Sequence, residues 1–259
     1  MAPTLAARLS QGHVVSLPKE GHLLDQDNVI KLPTERRLAR VRSAERAGHS
    51  PCFTARKEPS ASAAKRLFDI ALASATLTFF APFLITVAVL IKVTSPGPVL
   101  FSQYRYGYRN CPFKIYKFRS MHVDACDSAG VKQTVQGDSR ITSIGRILRK
   151  TSLDEIPQLI NVIKGDMSLV GPRPHVPGML AAGLPYEDLV SDYFERHTTR
   201  PGITGLAQVS GCRGSTVELH RALSRIDYDL EYIENWSFRM DIMIIARTIR
   251  REFLSGSGF

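Results

Sequence analysis

Residues 70–91 read IALASATLTFFAPFLITVAVLI, a run of 22 residues without a charged side chain. As a helix, such a run is long enough to cross a hydrocarbon layer of about 30 Å. Pro82 lies in its middle, where the missing N–H removes a helix hydrogen bond and favours a kink. Lys65 and Lys92 flank the run, and the positive-inside tendency places both flanks on the cytoplasmic side. The sequence therefore predicts a re-entrant membrane helix over residues 65–94.

A buried core helix is the alternative interpretation of this run. Core helices of that length seldom lack charge on every face, because one face usually meets water. We therefore favour the membrane helix.

The N-terminal segment is more basic than the rest of the chain. The 259 residues carry 34 Lys and Arg against 24 Asp and Glu, a net charge of +10. Residues 1–64 contain scattered prolines and no sustained hydrophobic period, which predicts a mostly disordered, basic tail. The charge suits nucleic acid, phospholipid headgroups or a phosphorylated substrate. No helix-turn-helix, zinc-finger or RNA-binding signature is present, so we expect no nucleic acid partner.

The four cysteines lie far apart, without C-x-x-C spacing. This spacing indicates neither a disulfide framework nor a zinc-ribbon site.

Two short strands are predicted after the apolar run. The sequence SPGP at residues 95–98 strongly predicts a turn. Residues 99–106 and 113–118 then alternate between apolar and polar side chains, and residues 107–112 between them predict a hairpin.

Two further stretches have helical periodicity. Apolar residues recur from position 141 to 148 with arginines and a lysine around them, which indicates an amphipathic basic helix on anionic headgroups or an ordinary surface helix. Residues 242–253 show the same apolar spacing, and that helix fits packing against the core or against a membrane surface.

An acidic pair, Asp154 and Glu155, lies at a predicted helix start. Ser152 and Glu155 have capping-box spacing, and acidic residues in a first turn also complement the helix dipole. Pro157 weakens the box because it would lack a needed N–H, so a start nearer Asp154 fits better. Spacing alone leaves a cap and an active site equally supported.

One arginine, Arg173, is enclosed between Pro172 and Pro174. Fixed φ angles on both sides lower the entropy lost when a guanidinium binds an anion, and its fork matches phosphate oxygens. A structural turn with a surface arginine is the commoner use of such a tripeptide.

The order of these motifs resembles the bacterial sugar transferase family, the monotopic phosphoglycosyl transferases. The resemblance covers residues 65–254 and rests on the helix with a central proline and on the following stretches: SPGPVLFSQYRYG, FKIYKFRSM, ITSIGRILRKTSLDEIPQLINVIKGDMSLVGPRP, RPGITGLAQVSG and YIENWSFRMDIMIIART.

The resemblance implies transfer of a sugar 1-phosphate from a UDP-sugar to undecaprenyl phosphate, with release of UMP, as the first step of exopolysaccharide assembly. The stretch GPRPHVPGML resembles transferases that begin rhizobial-type polymers, which favours galactose or glucose over an N-acetylated sugar. The implied location is the cytoplasmic face of the bacterial inner membrane, in contact with its lipids, and a homo-oligomer is compatible with the sequence.

The resemblance also implies roles for individual residues. Asp154 falls on the nucleophile that forms an aspartyl phosphosugar intermediate, and Glu155 on a ligand of the Mg²⁺ that the family uses. The resemblance implies that Arg173, in the turn with Pro172 and Pro174, contacts the phosphate or the nucleotide. Lys117 and Arg119 are weaker candidates for the same contact. Pro82 takes the place of the residue that breaks the membrane helix.

The expected fold is α+β and mainly helical. It comprises a tail (1–64), the re-entrant helix (65–94) and a cytoplasmic catalytic domain (95–259) with a short β-hairpin and amphipathic interfacial helices. The competing hypothesis is a membrane-anchored, non-catalytic interaction protein, which predicts that Asp154 and Arg173 are dispensable.

Overall fold

The computed structural model describes residues 58–123, 138–214 and 218–255. Its longest element is α1 (Ala63–Thr94), a helix of 32 residues. The Ser62 side chain accepts a hydrogen bond from Lys65 N and caps the start of the helix. α1 continues through Pro82 and is long and apolar enough to cross a membrane. Little of its apolar part is covered by protein, and Phe79 is 78% exposed.

A β-hairpin follows α1, as the sequence predicts. Strands β1 (Leu100–Tyr106) and β2 (Pro112–Phe118) pair antiparallel, with Gln103 opposite Ile115. The alternation places Ile115 in the core and Lys114 in solvent. The connecting turn holds Arg109 and Asn110 at positive φ, 54° and 62°.

The remaining chain is mostly helical, with short strands between the helices. Its elements are α2 (Ser143–Lys150), α3 (Gln158–Lys164), β3 (Ser168–Val170), β4 (Leu180–Ala181), β5 (Leu184–Pro185), α4 (Tyr186–Leu189), β6 (Gly202–Thr204), α5 (Leu206–Val209), α6 (Leu219–Glu234) and α7 (Phe238–Ser255). β3 pairs parallel with β6, and β4 pairs antiparallel with β5. In the described parts of the chain, the mainly helical α+β prediction is confirmed.

The main core joins α1, α3, α6 and α7 to the hairpin. Ala73 of α1, Ile115 of β2, Val162 of α3, Ile233 of α6 and Ile244 of α7 belong to one buried cluster. A separate cluster forms at the other end of α1, where Val87 and Ile91 pack with Phe118 and Leu148. Both ends of α1 therefore pack against the same body of protein, while its middle does not.

A buried polar network fastens the first turns of α1 to β3. Lys65 Nζ donates to Asp241 Oδ2 (2.7 Å) and to Val170 O (3.1 Å). Tyr232 Oη and Trp236 Nε1 donate to the two oxygens of Asp241, at 2.8 and 3.0 Å. Asp69 accepts from Ser168 Oγ and from the Leu169 backbone. We call Lys65, Asp69, Tyr232, Trp236 and Asp241 the anchor cluster.

β3 and β6 approach too closely for side chains at three glycines. A Cβ on Gly202 would lie 2.1 Å from Gly171 N, and one on Gly205 would lie 2.3 Å from Gly171 O. Gly171 N donates to Thr204 O, and Gly202 N donates to Pro172 O. This crossing fixes the backbone that leads directly into Arg173.

Most of the predicted tail lies outside the described residues, which begin at Glu58. Its last residues contact the domain: Tyr108 Oη donates to Glu58 Oε1 at 2.6 Å, and Arg200 N donates to Ser60 Oγ at 2.7 Å.

Candidate active site

The acidic pair lies in a single helical turn, Leu153–Glu155, between α2 and α3. Ser152 adopts a left-handed conformation (φ 54°) and makes no side-chain cap, so the capping-box alternative is not realised. Its Oγ instead donates to Glu252 Oε2 of α7 at 3.0 Å. The α-helix begins only at Gln158, after Pro157, rather than near Asp154. The pair is therefore held by a strained turn tied to α7.

Glu155 joins two predicted cationic residues. Lys117 Nζ lies 2.7 Å from Glu155 Oε1, and Arg173 donates to both carboxylate oxygens, at 2.5 and 3.1 Å. Burial raises the pKa of Glu155, but the charges of Arg173 and Lys117 outweigh it and hold the pKa well below its usual range. Glu155 is therefore ionised and fixed in orientation.

Asp154 lies beside this ion pair but outside it. Its side chain is buried, and no group in the described ranges donates a hydrogen bond to its carboxylate. Burial raises the pKa of Asp154 to about 6, against the opposing charge of Lys117 and with the help of Glu155. The carboxylate thus keeps its oxygens free for a reaction partner.

Two further arginines complete the surroundings of the acidic pair. Arg149 of α2 donates through Nε to Ser120 Oγ (2.8 Å), and Asp154 is among the charges that act on it. Arg105 of β1 donates to Gln103 Oε1 (2.7 Å). Burial, followed by the like charge of Arg173, lowers the pKa of Arg105 to about 10. We call these six residues the site cluster: Arg105, Lys117, Arg149, Asp154, Glu155 and Arg173.

Sequence reasoning missed Arg105 and Arg149 as members of this site. It treated Arg149 as part of a basic helix face, and it counted Arg105 only among the basic residues that follow the apolar run. The strand alternation carried a signal for Arg105, since Gln103 and Arg105 share the face that bears buried Ile115. A charged side chain on the buried face of a hairpin is a candidate for function.

Pro172 and Pro174 are buried and shape the turn around Arg173. The Pro172 carbonyl accepts from Gly202 N, and the Arg173 carbonyl accepts from Arg196 Nη2 at 2.7 Å. Arg196 is itself buried against Asp229, with its Nη2 2.5 Å from Asp229 Oδ2. The turn is therefore held through its backbone, and the Arg173 side chain stays directed to Glu155.

Arg119 and Pro82 are not brought into the site cluster. Arg119 Nη2 donates to Ser95 O and Ser95 Oγ, at 2.7 and 2.8 Å, and Nη1 donates to Pro96 O. Arg119 thereby binds backbone carbonyls at the end of α1, which otherwise lack donors. Pro82 lies in the exposed middle of α1.

His175 follows the turn and is fully buried. Its Nδ1 lies 3.2 Å from Tyr193 Oη, and its ring packs on Tyr186 with centroids 4.7 Å apart. These contacts give His175 a packing role.

Within the described residues, no group of three or more His, Cys, Asp or Glu side chains could hold a metal ion. Mg²⁺ commonly uses only one or two protein carboxylates and completes its shell with water and substrate phosphates. Asp154 and Glu155 are adjacent and supply hard oxygen ligands, so the residues present fit such a partly open site.

Comparison with known proteins gives consistent matches. The family model described as "Bacterial sugar transferase" matches residues 60–255. The exopolysaccharide production protein PSS of Rhizobium leguminosarum bv. phaseoli is 55% identical over 196 residues, which are 75% of this chain and 98% of that protein.

Two longer relatives are also similar. The UDP-glucose:undecaprenyl-phosphate glucose-1-phosphate transferase of Escherichia coli (strain K12) is 46% identical over 195 residues, 75% of this chain and 41% of that protein. An N-acetylgalactosaminephosphotransferase of Aeromonas hydrophila that uses the UDP-linked sugar and undecaprenyl phosphate, by its name, is 41% identical over 194 residues, 75% of this chain and 44% of that protein. The matched region thus spans less than half the length of these two relatives.

Proposed function

The chain belongs to the bacterial sugar transferase family, and from this premise we propose that it transfers a hexose 1-phosphate from a UDP-sugar to undecaprenyl phosphate. UMP is the second product of the donor step. The transfer begins assembly of an exopolysaccharide repeat unit. Glucose and galactose are the favoured sugars, and several relatives are named for transfer of glucose 1-phosphate.

The observation that carries this proposal is the difference in hydrogen bonding between the two members of the acidic pair. Glu155 is held by Lys117 and Arg173, whereas the neighbouring Asp154 carboxylate receives no hydrogen bond from the described residues. A free carboxylate beside several cations is the arrangement that a nucleophile needs when it attacks an anionic phosphorus centre.

In the proposed donor step, an Asp154 oxygen attacks the phosphorus that carries the sugar. The bond from this phosphorus to the bridging oxygen breaks, and UMP leaves with that electron pair. The product is an aspartyl phosphosugar. In the acceptor step, a phosphate oxygen of undecaprenyl phosphate attacks the same phosphorus, the acyl phosphate bond breaks, and Asp154 is regenerated as a carboxylate.

Other residues of the site cluster act on charge and position. Arg173 and Lys117 offset the negative charge of the attacked phosphate, and the backbone contacts of the Pro172 turn keep Arg173 in place. We assign Mg²⁺ to Glu155, with the adjacent Asp154 within reach, where it would reduce repulsion between carboxylate and diphosphate.

We further propose that α1 is re-entrant and that the protein lies on the cytoplasmic face of the inner membrane. Packing of both ends of α1 against one body of protein, together with its exposed middle, supports this placement. Exposed apolar side chains on three other helices, Ile147 of α2, Ile163 of α3 and Ile242 of α7, support interfacial contact with lipids.

Release of UMP tests the reaction. Full-length protein in detergent is incubated with Mg²⁺, undecaprenyl phosphate and a panel of UDP-sugars, beside Asp154→Asn and the matched control Asp188→Asn, an exposed residue of α4. We expect UMP from a hexose donor with wild type and Asp188→Asn, and none with Asp154→Asn. Without acceptor, wild type and Asp188→Asn should each release up to one UMP per protein and retain the sugar phosphate covalently, whereas Asp154→Asn should do neither.

Two results would contradict the proposal. Folded wild-type protein that transfers no sugar phosphate from any UDP-sugar would remove the activity. Full activity of Asp154→Asn, in vitro and by complementation in cells, would favour the non-catalytic interaction protein.

A further inference from the structure

Arg105 lies on the same face of the hairpin as Lys117. In the strand register Phe101 is opposite Lys117 and Gln103 is opposite Ile115, so alternation places Gln103, Arg105, Ile115 and Lys117 together. This is the buried face of the hairpin.

The end of β1 is also fastened beside the turn that carries Arg173. The residue after Arg105 donates from its backbone N to His175 O at 3.0 Å. His175 lies two residues beyond Arg173, so this bond brings the Arg105 backbone close to the Pro172 turn. The site therefore places two guanidinium groups near each other, and their like charges act on one another.

The charges of the two arginines are offset to different extents. Glu155 accepts two hydrogen bonds from Arg173 and one from Lys117. Arg105, by contrast, donates to the neutral amide oxygen of Gln103, and no carboxylate among the described residues pairs with it. Its Nε atom is buried and has no hydrogen-bond partner in the parts of the chain described.

A guanidinium in this position is costly unless an anion completes its hydrogen bonds. Two neighbouring arginines, one of them without a carboxylate, match the planar oxygen pairs of phosphate groups. The site cluster has four cations and two carboxylates, so its side chains carry a net positive charge that favours an anionic ligand.

We propose that Arg105 is a phosphate-binding residue of this site, whose guanidinium binds non-bridging phosphate oxygens beside Arg173. The inference rests on the proposed function and deepens it. The phosphate belongs either to the diphosphate of the donor or to the lipid phosphate of the acceptor, which share this chemistry.

The test uses Arg105→Gln, Arg105→Lys and a matched control, Arg109→Gln, in full-length protein in detergent. Arg109 is exposed in the turn of the same hairpin, where its guanidinium lies over the Tyr108 ring. We expect kcat/KM to fall about 10- to 100-fold in Arg105→Gln, the loss typical of one charged hydrogen bond or a pair of them. Arg105→Lys should recover part of this loss, and Arg109→Gln should match wild type.

Separate measurements distinguish the two phosphates. A defect in UMP release without acceptor assigns Arg105 to the donor diphosphate. Normal UMP release combined with a raised KM for undecaprenyl phosphate assigns it to the acceptor. Unchanged kinetic constants in both steps would overturn the proposal.

Binding of inorganic pyrophosphate gives a readout that does not depend on turnover. We expect pyrophosphate to raise the melting temperature of wild type and Arg109→Gln but not of Arg105→Gln. Equal shifts in all three proteins would overturn the role of Arg105, whether or not the wild type transfers sugar phosphate. Failure of the wild type to transfer sugar phosphate would instead contradict the proposed function.

Discussion

The anchor cluster and the site cluster both contain buried charged side chains, but they differ in how far solvent reaches those side chains. In the anchor cluster the Lys65 and Asp241 side chains are only 5% and 2% exposed. In the site cluster Glu155 is 17% and Arg173 is 34% exposed. One network is closed to solvent, and the other is open on one side.

The two clusters also differ in how fully their charged groups are hydrogen-bonded by the protein. Every carboxylate oxygen of Asp69 and Asp241 receives a donor from the protein. In the site cluster the Asp154 carboxylate accepts no hydrogen bond from the described residues, and the Arg105 Nε finds no acceptor among them. The comparison indicates that the carboxylates of the anchor cluster are satisfied by the protein itself, whereas the site cluster leaves an Asp154 carboxylate and an Arg105 guanidinium with capacity to bind a ligand.

The largest effect is expected from Asp241→Ala. Among the described residues, this change leaves the buried Lys65 ammonium with the Val170 carbonyl as its one hydrogen-bond acceptor, so the free energy of unfolding should fall by about 3–5 kcal/mol. Equilibrium unfolding in detergent measures it, with Asp188→Ala as the exposed control. The double change Lys65→Met with Asp241→Leu should recover much of the loss. A change below about 1 kcal/mol for Asp241→Ala would contradict the role of the closed network.

Glu155→Gln should have a small effect on stability and a large effect on activity, unlike Asp241→Ala. Its charge offsets Arg173 and Lys117 in a partly solvated site, so the free energy of unfolding should change by only about 1 kcal/mol. The rate of sugar phosphate transfer should fall about 100-fold, equal to about 2.7 kcal/mol in the barrier. Glu195→Gln, a half-buried glutamate on another element, serves as the control. A stability loss as large as that of Asp241→Ala would remove the contrast between the clusters.

A smaller effect, on the pH dependence of stability, is expected from His197, which follows Arg196 of the buried Arg196–Asp229 pair. Burial, followed by the charge of Arg196, lowers the pKa of His197 to about 3. Between pH 6.5 and 3 the unfolded chain binds a proton that the folded protein does not, so stability falls as the pH is lowered. The slope from this group is about 1.4 kcal/mol per pH unit.

The pH dependence can be isolated with His197→Gln. Melting temperatures from pH 7.0 to 5.0 should fall less steeply for the variant than for wild type. Parallel curves for the two proteins would show that the folded pKa of His197 is not depressed.

Local pattern was sufficient to predict the elements that frame the site. The alternation in residues 113–118 predicted β2, and the apolar spacing of residues 242–253 predicted α7, because each pattern reflects packing on one face. The apolar run predicted α1 by its length and by the lack of charge on any face.

The contacts that decide individual roles were not predictable, because they join distant residues. Ser152 has the spacing of a cap, but its bond to Glu252, 100 residues away, accompanies a left-handed backbone instead. Arg119 looked like a candidate for anion binding, but its guanidinium binds carbonyls at the end of α1. Strand alternation placed Arg105 on the buried face of the hairpin, but its nearness to Arg173 came from the fold.

The attachment of α1 at both ends limits how the protein can be dissected. A fragment that begins after Thr94 would lack Lys65 and Asp69, which satisfy buried groups of β3 and α7. It would also expose the surface that Ala73 and Ile91 cover. Removing the apolar helix is therefore not a route to a water-soluble catalytic fragment, and purification has to retain the helix together with a lipid or detergent that shields it.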